Sequence, residues 1–464
     1  MRLASPGCQL HTTGGNPLKK KLLAGVTAAL VGLSLSPMIS ANAATPLQKD
    51  IAAINSSGDT FNYWIGLIFS DDANAQAVNA IKAWGASRGI KVNPVLVNQN
   101  NLTSQITAAL TAGTMPDAFD SGSGLMLQLG SKNLVNVQAL QDELAAKYGG
   151  LNKAATQFNL STYGGKGLGV PYGINGNLLN RRLDLIKASG GSAQPPKTWE
   201  EALSTAYNAQ KVGGWGFNTG NVGDAEGVFQ AMFRDYGGRT GNDEGTLCTI
   251  NTQQTKDFMT LVKKAYDKGL YPSDSSNSDG AWDNNKYLGG KTVMIANPGS
   301  VYTTLIGGSA TWEKNPTLAK NTGFSPLPGG PVMQVAPSDG WLRVISKTSK
   351  YPELGKDLIR YLMGRNNMQE YYSKAIYGPA FKAYNTFTFW RVANDPARAG
   401  LYLLATAGTA GNYPDINNAQ NAEFHGGFGL SKMVQAYLYG GKSMTDAITA
   451  AQTSCQAIYD KYKK

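Results

Sequence analysis

The chain has 464 residues, of which 42% are hydrophobic and 16% charged, and its formal net charge is +11 at pH 7. Lys and Arg are spread among Asp and Glu along the chain. This argues against a nucleic-acid-binding protein, because such proteins carry a clustered basic patch. His425 is the single histidine beyond residue 43, which excludes a zinc site built from several histidines in that part of the chain.

Residues 1–43 have the organisation of a cleavable export signal. Lys19 to Lys21 precede an uncharged run from Leu22 to Leu35, and residues 41–43 (Ala-Asn-Ala) give the small-x-small pattern that a signal peptidase recognises. The apolar run is too short to span a bilayer, which takes about 20 residues. Cleavage would remove four positive charges and leave +7 on the rest of the chain, whose length favours two domains.

The cleavage point lacks a cysteine, so we expect no lipid anchor. A freely diffusing receptor is useful only where an outer barrier retains it, and we therefore place the product in a Gram-negative periplasm. Beyond Ala44 no apolar run is long enough for a membrane segment, which predicts a soluble protein. Cys248 and Cys455 follow the signal and could pair in an oxidising compartment. The sequence leaves that open, because pairing requires the two Cα atoms to approach within about 7 Å.

The first third of the exported chain predicts alternating strands and helices. Apolar strands are expected at 61–69, 92–97 and 115–120, separated by helices that end at Gly89 and Gly113. A β-α-β-α-β order implies parallel strands in a doubly wound α/β sheet, in which ligands lie beyond the carboxyl ends of the strands. That rule places four polar residues at the mouth of a cleft: Ser70, Asp71, Asp120 and Ser121.

The remaining chain continues the same pattern. Thr198 and Glu201 form a helix-start signature, and an amphipathic helix is expected over 251–268. A buried strand is expected at 291–296, and two further helices at 353–363 and 445–459.

Six strings, in this order, resemble the extracellular solute-binding proteins of ABC importers, specifically the carbohydrate-binding family that includes maltose-binding protein. The strings are GTMPD at 113–117, VPY at 170–172, PPKTWEE at 195–201, GKTVMI at 290–295, SPLPGG at 325–330 and GWLRVIS at 340–346. The resemblance covers nearly all of the chain beyond the signal, and the PPKTWEE string is its most specific part.

The resemblance implies the two-lobed periplasmic binding protein fold, in which each lobe is a mainly parallel sheet flanked by helices and a hinge joins the lobes. By analogy, lobe one comprises residues 44–171 plus 328–383, and lobe two comprises 172–327 plus 384–464. Both cysteines then fall in lobe two, which favours their pairing. Such a receptor has no catalytic activity, metal or cofactor, is a monomer, does not bind nucleic acid, and delivers its ligand to the permease subunits of the importer.

A sugar site needs aromatic planes for the C–H faces of the ligand, and amides and carboxylates for its hydroxyls. Loop and strand-end positions select the candidate ligand-binding residues: Ser70, Asp71, Asp120, Ser121, Tyr172, Asn175, Asn177, Asp224, Glu226, Asn297, Ser300, Tyr302, Trp341, His425 and Phe428. The asparagines could equally serve turns, and His425 could be a passive hydrogen-bonding group. Asn180-Arg181 stands where the family usually has Tyr-Asn, and Ser121 and Ser300 replace common aromatics, so the ligand stays open.

Two alternatives remain from the sequence. A secreted glycoside-acting enzyme would use Asp224 and Glu226 as an acid/base pair, but two carboxylates on one loop are poorly placed for that chemistry. The same type of receptor could instead take a polyamine, peptide or metal chelate. A polyamine would favour a cleft lined by carboxylates, whereas the candidate loops contain more amides and hydroxyls than acids.

Overall fold

The computed structural model describes residues 43–68, 70–160, 167–218, 222–272, 281–309, 311–335, 337–391 and 395–463. Apart from Ala43, the predicted export signal lies outside the described residues. Residues 44–464 form one compact unit, and no helix among the described residues is both long and apolar enough to cross a membrane.

Strands in the described part of the chain form two separate sheets. In chain order they are β1 (Phe61–Leu67), β2 (Val92–Asn98), β3 (Ala118–Gly122), β4 (Val170–Gly176), β5 (Leu178–Arg182), β6 (Trp215–Asn218), β7 (Thr292–Asn297), β8 (Thr322–Pro326), β9 (Pro337–Ile345) and β10 (Thr409–Ala410).

The first sheet has the order β10-β9-β3-β1-β2, with β4 also paired to β9. Strand β1 lies parallel to both β2 and β3, which confirms the predicted β-α-β-α-β unit. Strand β9 returns antiparallel between β3 and β4, and its Trp341 faces Gly122 and Gly173 on the two sides. The carboxyl ends of β1 and β3 therefore lie beside the beginning of β9.

The second sheet has the order β6-β7-β5-β8. Strands β6 and β7 are parallel, whereas β5 is antiparallel to both β7 and β8. This sheet is mixed, and the expectation of a mainly parallel sheet is wrong for the second lobe. The reason is that β5 enters directly from β4 with Asn177 alone between them. A strand that lies parallel to the strand before it in the same sheet follows a crossover connection, usually a helix. No helix precedes β5 in this way.

Helices cover both sheets. The helices before β6 are α1 (Pro46–Ser57), α2 (Asp71–Arg88), α3 (Gln99–Ala112), α4 (Ser123–Asn133), α5 (Gln138–Lys147), α6 (Lys153–Leu160), α7 (Leu183–Ala188) and α8 (Trp199–Ala209). The later helices are α9 (Val222–Asp235), α10 (Gln253–Asp267), α11 (Trp282–Leu288), α12 (Ser300–Gly307), α13 (Pro316–Lys320), α14 (Pro352–Leu362), α15 (Arg365–Lys374), α16 (Pro396–Ala407), α17 (Ala419–Gly426), α18 (Gly429–Leu438) and α19 (Met444–Lys461).

Local signals explain several helix starts. The Ser70 hydroxyl accepts a hydrogen bond from the Ala73 amide at the start of α2, and Thr198 accepts from the Glu201 amide at the start of α8. The Glu201 carboxylate accepts from the Lys197 amide at 2.6 Å. These side chains satisfy backbone donors that the first helical turn leaves without partners.

Each sheet has its own hydrophobic core. Trp84, Leu358 and Tyr372 belong to the core of the first sheet, and Trp199 and Phe258 to that of the second. A small cluster of Leu178, Ile376, Leu401 and Leu404 lies where the two lobes join. The fold is thus the two-lobed α/β arrangement that was predicted.

The sheets and cores divide the chain somewhat differently from the expected lobe boundaries. The expected boundary after residue 171 falls inside β4, which pairs along its length with the first sheet. The expected boundary after residue 383 precedes Tyr384 and Ala410, which both pack in the first core. Phe424 on α17 packs in the second core, so the chain passes to the second lobe between these two positions.

The connection before β9 is held on the second lobe by Asp235. Its carboxylate accepts hydrogen bonds from Trp199 Nε1 at 2.7 Å and from the Val335 amide at 2.6 Å. Burial raises the pKa of Asp235 to about 8, and these two donors oppose the rise. The chain up to Val335 therefore belongs structurally with lobe two.

Cys248 and Cys455 form a disulfide, with a Cα–Cα distance of 5.9 Å. It joins α19 to the segment that precedes α10. Both sulfurs are buried in the core of the second lobe. The last helix is therefore covalently fixed to the lobe that contains α17 and α18.

Candidate functional site

Trp341 lies at the edge of the first sheet where the carboxyl ends of β1 and β3 meet β9. Its side chain is half-buried and rests on Gly66 of β1, where a Cβ would lie only 2.8 Å from Trp341 Cζ3. Any larger residue at position 66 would meet the indole, because carbon atoms ordinarily approach no closer than about 3.5 Å. Glycine at this position lets the indole lie directly against the strand.

Tyr377 packs closely against Gly173 in the same way. A Cβ at Gly173 would lie 2.8 Å from Tyr377 Cγ, and the ring centroids of Tyr377 and Trp341 are 6.3 Å apart. Tyr371 stacks on Tyr377 at 6.2 Å, and Tyr172 meets the same ring edge-on at 5.8 Å. A row of aromatic rings thus runs from the half-buried Trp341 into the first core.

Asp120 and Arg343 bring charge to this row. They are direct neighbours across β3 and β9, and both are buried. The Asp120 carboxylate accepts from the Tyr63 hydroxyl at 2.6 Å and from the Gly66 amide at 3.2 Å. Burial raises the pKa of Asp120, while the Arg343 guanidinium and the Tyr63 hydroxyl oppose that rise. Asp120 therefore fixes the backbone on which Trp341 rests.

Several polar groups lie buried behind the rings. The Tyr172 hydroxyl interacts with Asp120, Tyr371 and Tyr377, but neither it nor the Tyr377 hydroxyl makes a hydrogen bond of ordinary geometry with a described residue. The Arg343 guanidinium lies over the Tyr172 ring, 4.4 Å from its centroid. Burial raises the pKa of Tyr172 and Tyr377 well above the usual value, so both stay protonated. These groups are shielded from solvent, so they belong to the interior of the cluster and not to its exposed surface.

The connection between the lobes continues this surface toward the second lobe. Asn175 Oδ1 accepts from the Gly176 amide at 2.8 Å, and Asn175 and Asn177 are both half-buried. A Cβ at Gly227 would lie 3.1 Å from Asn177 Nδ2. The first turns of α9 therefore meet the connection. Asp224 belongs to that helix, but its side chain lies outside the described residues.

Asn297 and Ser300 serve the start of α12. Asn297 Oδ1 accepts from the Gly299 amide and from the Ser300 hydroxyl, each at 3.0 Å, and its amide donates to Asn284. Tyr302 is half-buried and packs edge-on against Phe324 at 5.4 Å. This is the turn chemistry that the sequence left open for the asparagine.

Glu226 and His425 belong to a buried polar network of the second lobe. Glu226 accepts from His425 Nδ1 at 2.8 Å and from the Ser431 amide at 2.8 Å, while His425 Nε2 lies 3.0 Å from the Thr240 hydroxyl. His425 and Phe428, which were selected as loop positions, lie at the end of α17 and directly before α18. Glu226 and His425 therefore hold these helices on α9.

The other candidates do not join the cluster around Trp341, and Ser121, which pairs with Leu342, lies on the opposite face of the sheet. Ser70 caps α2 and donates to the Lys374 carbonyl at 2.9 Å, and the neighbouring Asp71 is exposed. Ser121 is fully buried and donates to the Gly122 carbonyl at 3.0 Å. Phe428 is 39% exposed in a left-handed conformation with φ of 60°. A shallow surface groove lined by Asn366, Gln369, Glu370, Ser373 and Phe389 contains none of the candidates.

Asp120, Tyr172 and Trp341 are thus brought together in one cluster, with Asn175 and Asn177 continuing it. The sequence analysis missed four members of the cluster: Tyr63, Arg343, Tyr371 and Tyr377. Arg343 had a usable signal, since it follows Trp341 by two residues in a strand and so shares its face. The three tyrosines had none, because they meet Asp120 and Tyr172 through packing between distant segments.

Comparison with known proteins gives the family. The model of the bacterial extracellular solute-binding protein family matches residues 79–400, more than two thirds of the chain. A probable ABC transporter-binding protein of Deinococcus radiodurans is 25% identical over 47% of this chain and 52% of its own length. An arabinooligosaccharide-binding protein of Bacillus subtilis is 22% identical over 62% of this chain and 66% of its own length. The chain therefore spans less than two thirds of either relative.

The solved structure of the GacH receptor of Streptomyces glaucescens, determined unliganded and with acarbose, has the same fold. Its TM-score is 0.71 at 18% identity, over 87% of this chain and 99% of that one. The fold of this structure agrees with the family model that matches residues 79–400. The chain belongs to the bacterial extracellular solute-binding protein family.

Proposed function

We propose that this chain is the substrate-binding component of an ABC importer and that it captures a carbohydrate between its two lobes. The observation that carries the proposal is the half-buried Trp341, which lies on Gly66 beside the half-buried Asn175 and Asn177 of the connection between the lobes. Family membership and the names of an arabinooligosaccharide-binding relative and of an acarbose-binding receptor support it.

The chemistry of the cluster suits a sugar. An indole plane packs well against the C–H face of a pyranose, since both surfaces are apolar and flat. Asn175 and Asn177 are half-buried beside the indole, and their side-chain amides can both donate to and accept from sugar hydroxyls. Asp120 is the described carboxylate of the cluster and already accepts two hydrogen bonds, which disfavours a polycation such as a polyamine.

Ligand capture would work by hinge closure. We place lobe one at residues 44–176 and 337–411 and lobe two at 178–335 and 415–463, with the joints between these ranges. A ligand that touches both lobes shifts the population toward the closed form by its differential affinity for that form. We further propose that the receptor is a periplasmic monomer that hands the ligand to a membrane permease and carries out no reaction.

A ligand screen by thermal shift, followed by small-angle scattering with the best ligand, tests this function. A tight ligand raises the melting temperature by mass action, and we expect the largest rise from a saccharide among sugars, sugar acids, polyols, amino acids and polyamines. Saturation should reduce the radius of gyration, and Trp341→Ala should lose most of the affinity. A larger rise with a polyamine or amino acid, or an unchanged radius at saturation, would contradict the proposal.

Among the described residues no observation favours the glycoside-acting enzyme, and the Asp224 side chain lies outside them. Both oxygens of Glu226 accept hydrogen bonds, from His425 and from the Leu430 and Ser431 amides. The Gly-x-Ser-x-Gly string at 85–89 does not form a nucleophile turn, because Ser87 lies within α2 and donates to the Trp84 carbonyl at 2.7 Å. If the protein hydrolysed a glycoside and Glu226→Gln abolished that turnover, the enzyme hypothesis would be supported.

A further inference from the structure

Helix α17 of the second lobe packs directly against α4 of the first. A Cβ at Gly124 would lie 3.7 Å from the Ala422 Cβ, and one at Gly426 would lie 3.8 Å from Gln128 Nε2. The Ala422 methyl also packs against a cluster of the first lobe that includes Leu125. The two helices touch through small residues at ordinary van der Waals distance, without an intervening layer of side chains.

This contact lies beside the proposed ligand surface. Helix α4 begins at Ser123, directly after Gly122, and Gly122 is the strand partner of Trp341. Gly124 therefore sits in the first turn of α4, next to the edge that carries the indole. The α4–α17 contact borders one end of the space that Trp341 faces.

The contact is made by a firmly held element. Asn418 caps α17 by accepting from the Asn421 amide at 2.8 Å and donates to the Gly245 carbonyl at 3.1 Å. Glu423 pairs with Lys461 of α19 at 2.7 Å, and His425 bonds to Glu226 of α9. Since α17 is tied to three parts of its own lobe, it acts as a fixed wall.

We propose that the α4–α17 contact closes one end of the interlobe cleft and restricts the ligand to a short saccharide. The inference rests on the proposed sugar-binding function. A ring stacked between two surfaces holds its neighbours apart by a layer of its own thickness. Helices α4 and α17 leave no such layer, because even a Cβ added at Gly124 would already contact the Ala422 Cβ at 3.7 Å. The ligand is thereby confined to the space between Trp341, the Asn175–Asn177 connection and the first turns of α9.

A length series measured by calorimetry tests the restriction on the full exported chain. The probes are glucose, maltose, maltotriose and maltotetraose, together with matched β-1,3-glucan and arabinan series of one to four units. In the series that binds best, we expect affinity to be highest at one or two rings and at least about tenfold weaker, roughly 1.4 kcal/mol, at three and four. Affinity that rises through four rings would overturn the length limit while leaving the sugar-binding function intact. Binding of no sugar in any series would overturn both.

A pair of matched tryptophan substitutions tests the wall itself. Gly124→Trp places an indole between α4 and α17, and we expect it to weaken binding of the preferred short sugar at least about tenfold. Ser131→Trp adds the same side chain at an exposed position of α4 and should bind like wild type. Wild-type affinity in a folded Gly124→Trp would show that the contact is absent from the bound state and would refute the proposal.

A second variant keeps the test decisive if Gly124→Trp does not fold. Gln128→Ala removes the side chain that approaches Gly426 and opens the closed end. The penalty for the three-ring sugar should then shrink by at least about threefold relative to wild type. A penalty that is unchanged in Gln128→Ala counts against the wall.

Discussion

Replacing Gly66 by alanine tests whether Trp341 forms the ligand surface. The new Cβ would lie 2.8 Å from Trp341 Cζ3, 3.4 Å from its Cη2 and 3.6 Å from the Asp120 Cβ. Carbon atoms are most stable at about 3.5–4.0 Å, so the indole must retreat by about 0.7 Å or more. Tyr377 packs against the indole on its inner side, which leaves movement toward the cleft as the easier path.

The substitution should cost both binding and stability. A displaced indole loses the specific geometry of ring stacking, which is worth about 0.5–1.5 kcal/mol, so affinity for the best saccharide should fall roughly 3- to 10-fold. Overpacking should lower the free energy of unfolding by about 1–3 kcal/mol. Calorimetric titration, the tryptophan emission spectrum and urea unfolding measure the three consequences.

Gly122→Ala is the matched control. Gly122 lies opposite Trp341 in the neighbouring strand, yet a Cβ there has nothing within 4 Å. Its φ of −66° and ψ of 153° also suit alanine. The control adds the same methyl group without displacing the indole, so its tryptophan emission spectrum should match that of the wild type. If Gly66→Ala keeps wild-type affinity and an unchanged emission spectrum, the indole is not part of the ligand surface.

Three further predictions concern stability. Tyr63→Phe removes the 2.6 Å hydrogen bond to Asp120 and should cost about 1–3 kcal/mol in urea unfolding, because a buried carboxylate loses a donor; an unchanged midpoint would contradict that role. The pKa of Asp235 is about 8 in the folded protein, above its unfolded value, so folding binds a proton between these pKa values. The stability contributed by Asp235 is present below the unfolded pKa and is lost as pH rises through about 8, with a slope of up to about 1.4 kcal/mol per pH unit; the slope should flatten in Asp235→Asn, and an identical pH profile for that variant would refute the assignment. Replacing both Cys248 and Cys455 by alanine should lower stability by about 2–5 kcal/mol, because their sequence separation is 207 residues, and dithiothreitol should reproduce the loss in the wild type but not in the variant.

The sequence predicted the first lobe well where local chemistry and burial agree. The apolar run at 61–69 gave β1, and α2 ends at Gly89 as expected. The strand expected at 115–120 corresponds to β3, and Asp120 lies in the middle of that strand. In these places the local pattern and the final packing require the same structure.

The second lobe was harder because glycine content suggested loops where packing forms helices. The segments around Glu226 and His425 lie in α9 and α17, where the buried faces of Val228 and Phe424 decide the conformation. Intrinsic propensity is weak against such burial. The tyrosines of the cluster escaped prediction for another reason, which is that contacts such as the one between Tyr172 and Tyr377 depend on how remote segments pack.

The three joints between the lobes explain how closure can occur without reshaping either side of the cleft. Asn177 alone separates β4 from β5, and Asp235 holds the chain on lobe two as far as Val335, two residues before β9 begins. At the third joint the Gly411 amide donates to the Ser338 carbonyl of lobe one at 3.0 Å. Asp415 then pairs with Arg234 of lobe two at 2.5 Å. Because each joint is only a few residues long, rotation must be absorbed by these backbone positions. Trp341 would then move as part of a rigid lobe toward α9, since α17 already contacts α4 of that lobe, and the contacts that it gains there would set the affinity for the ligand.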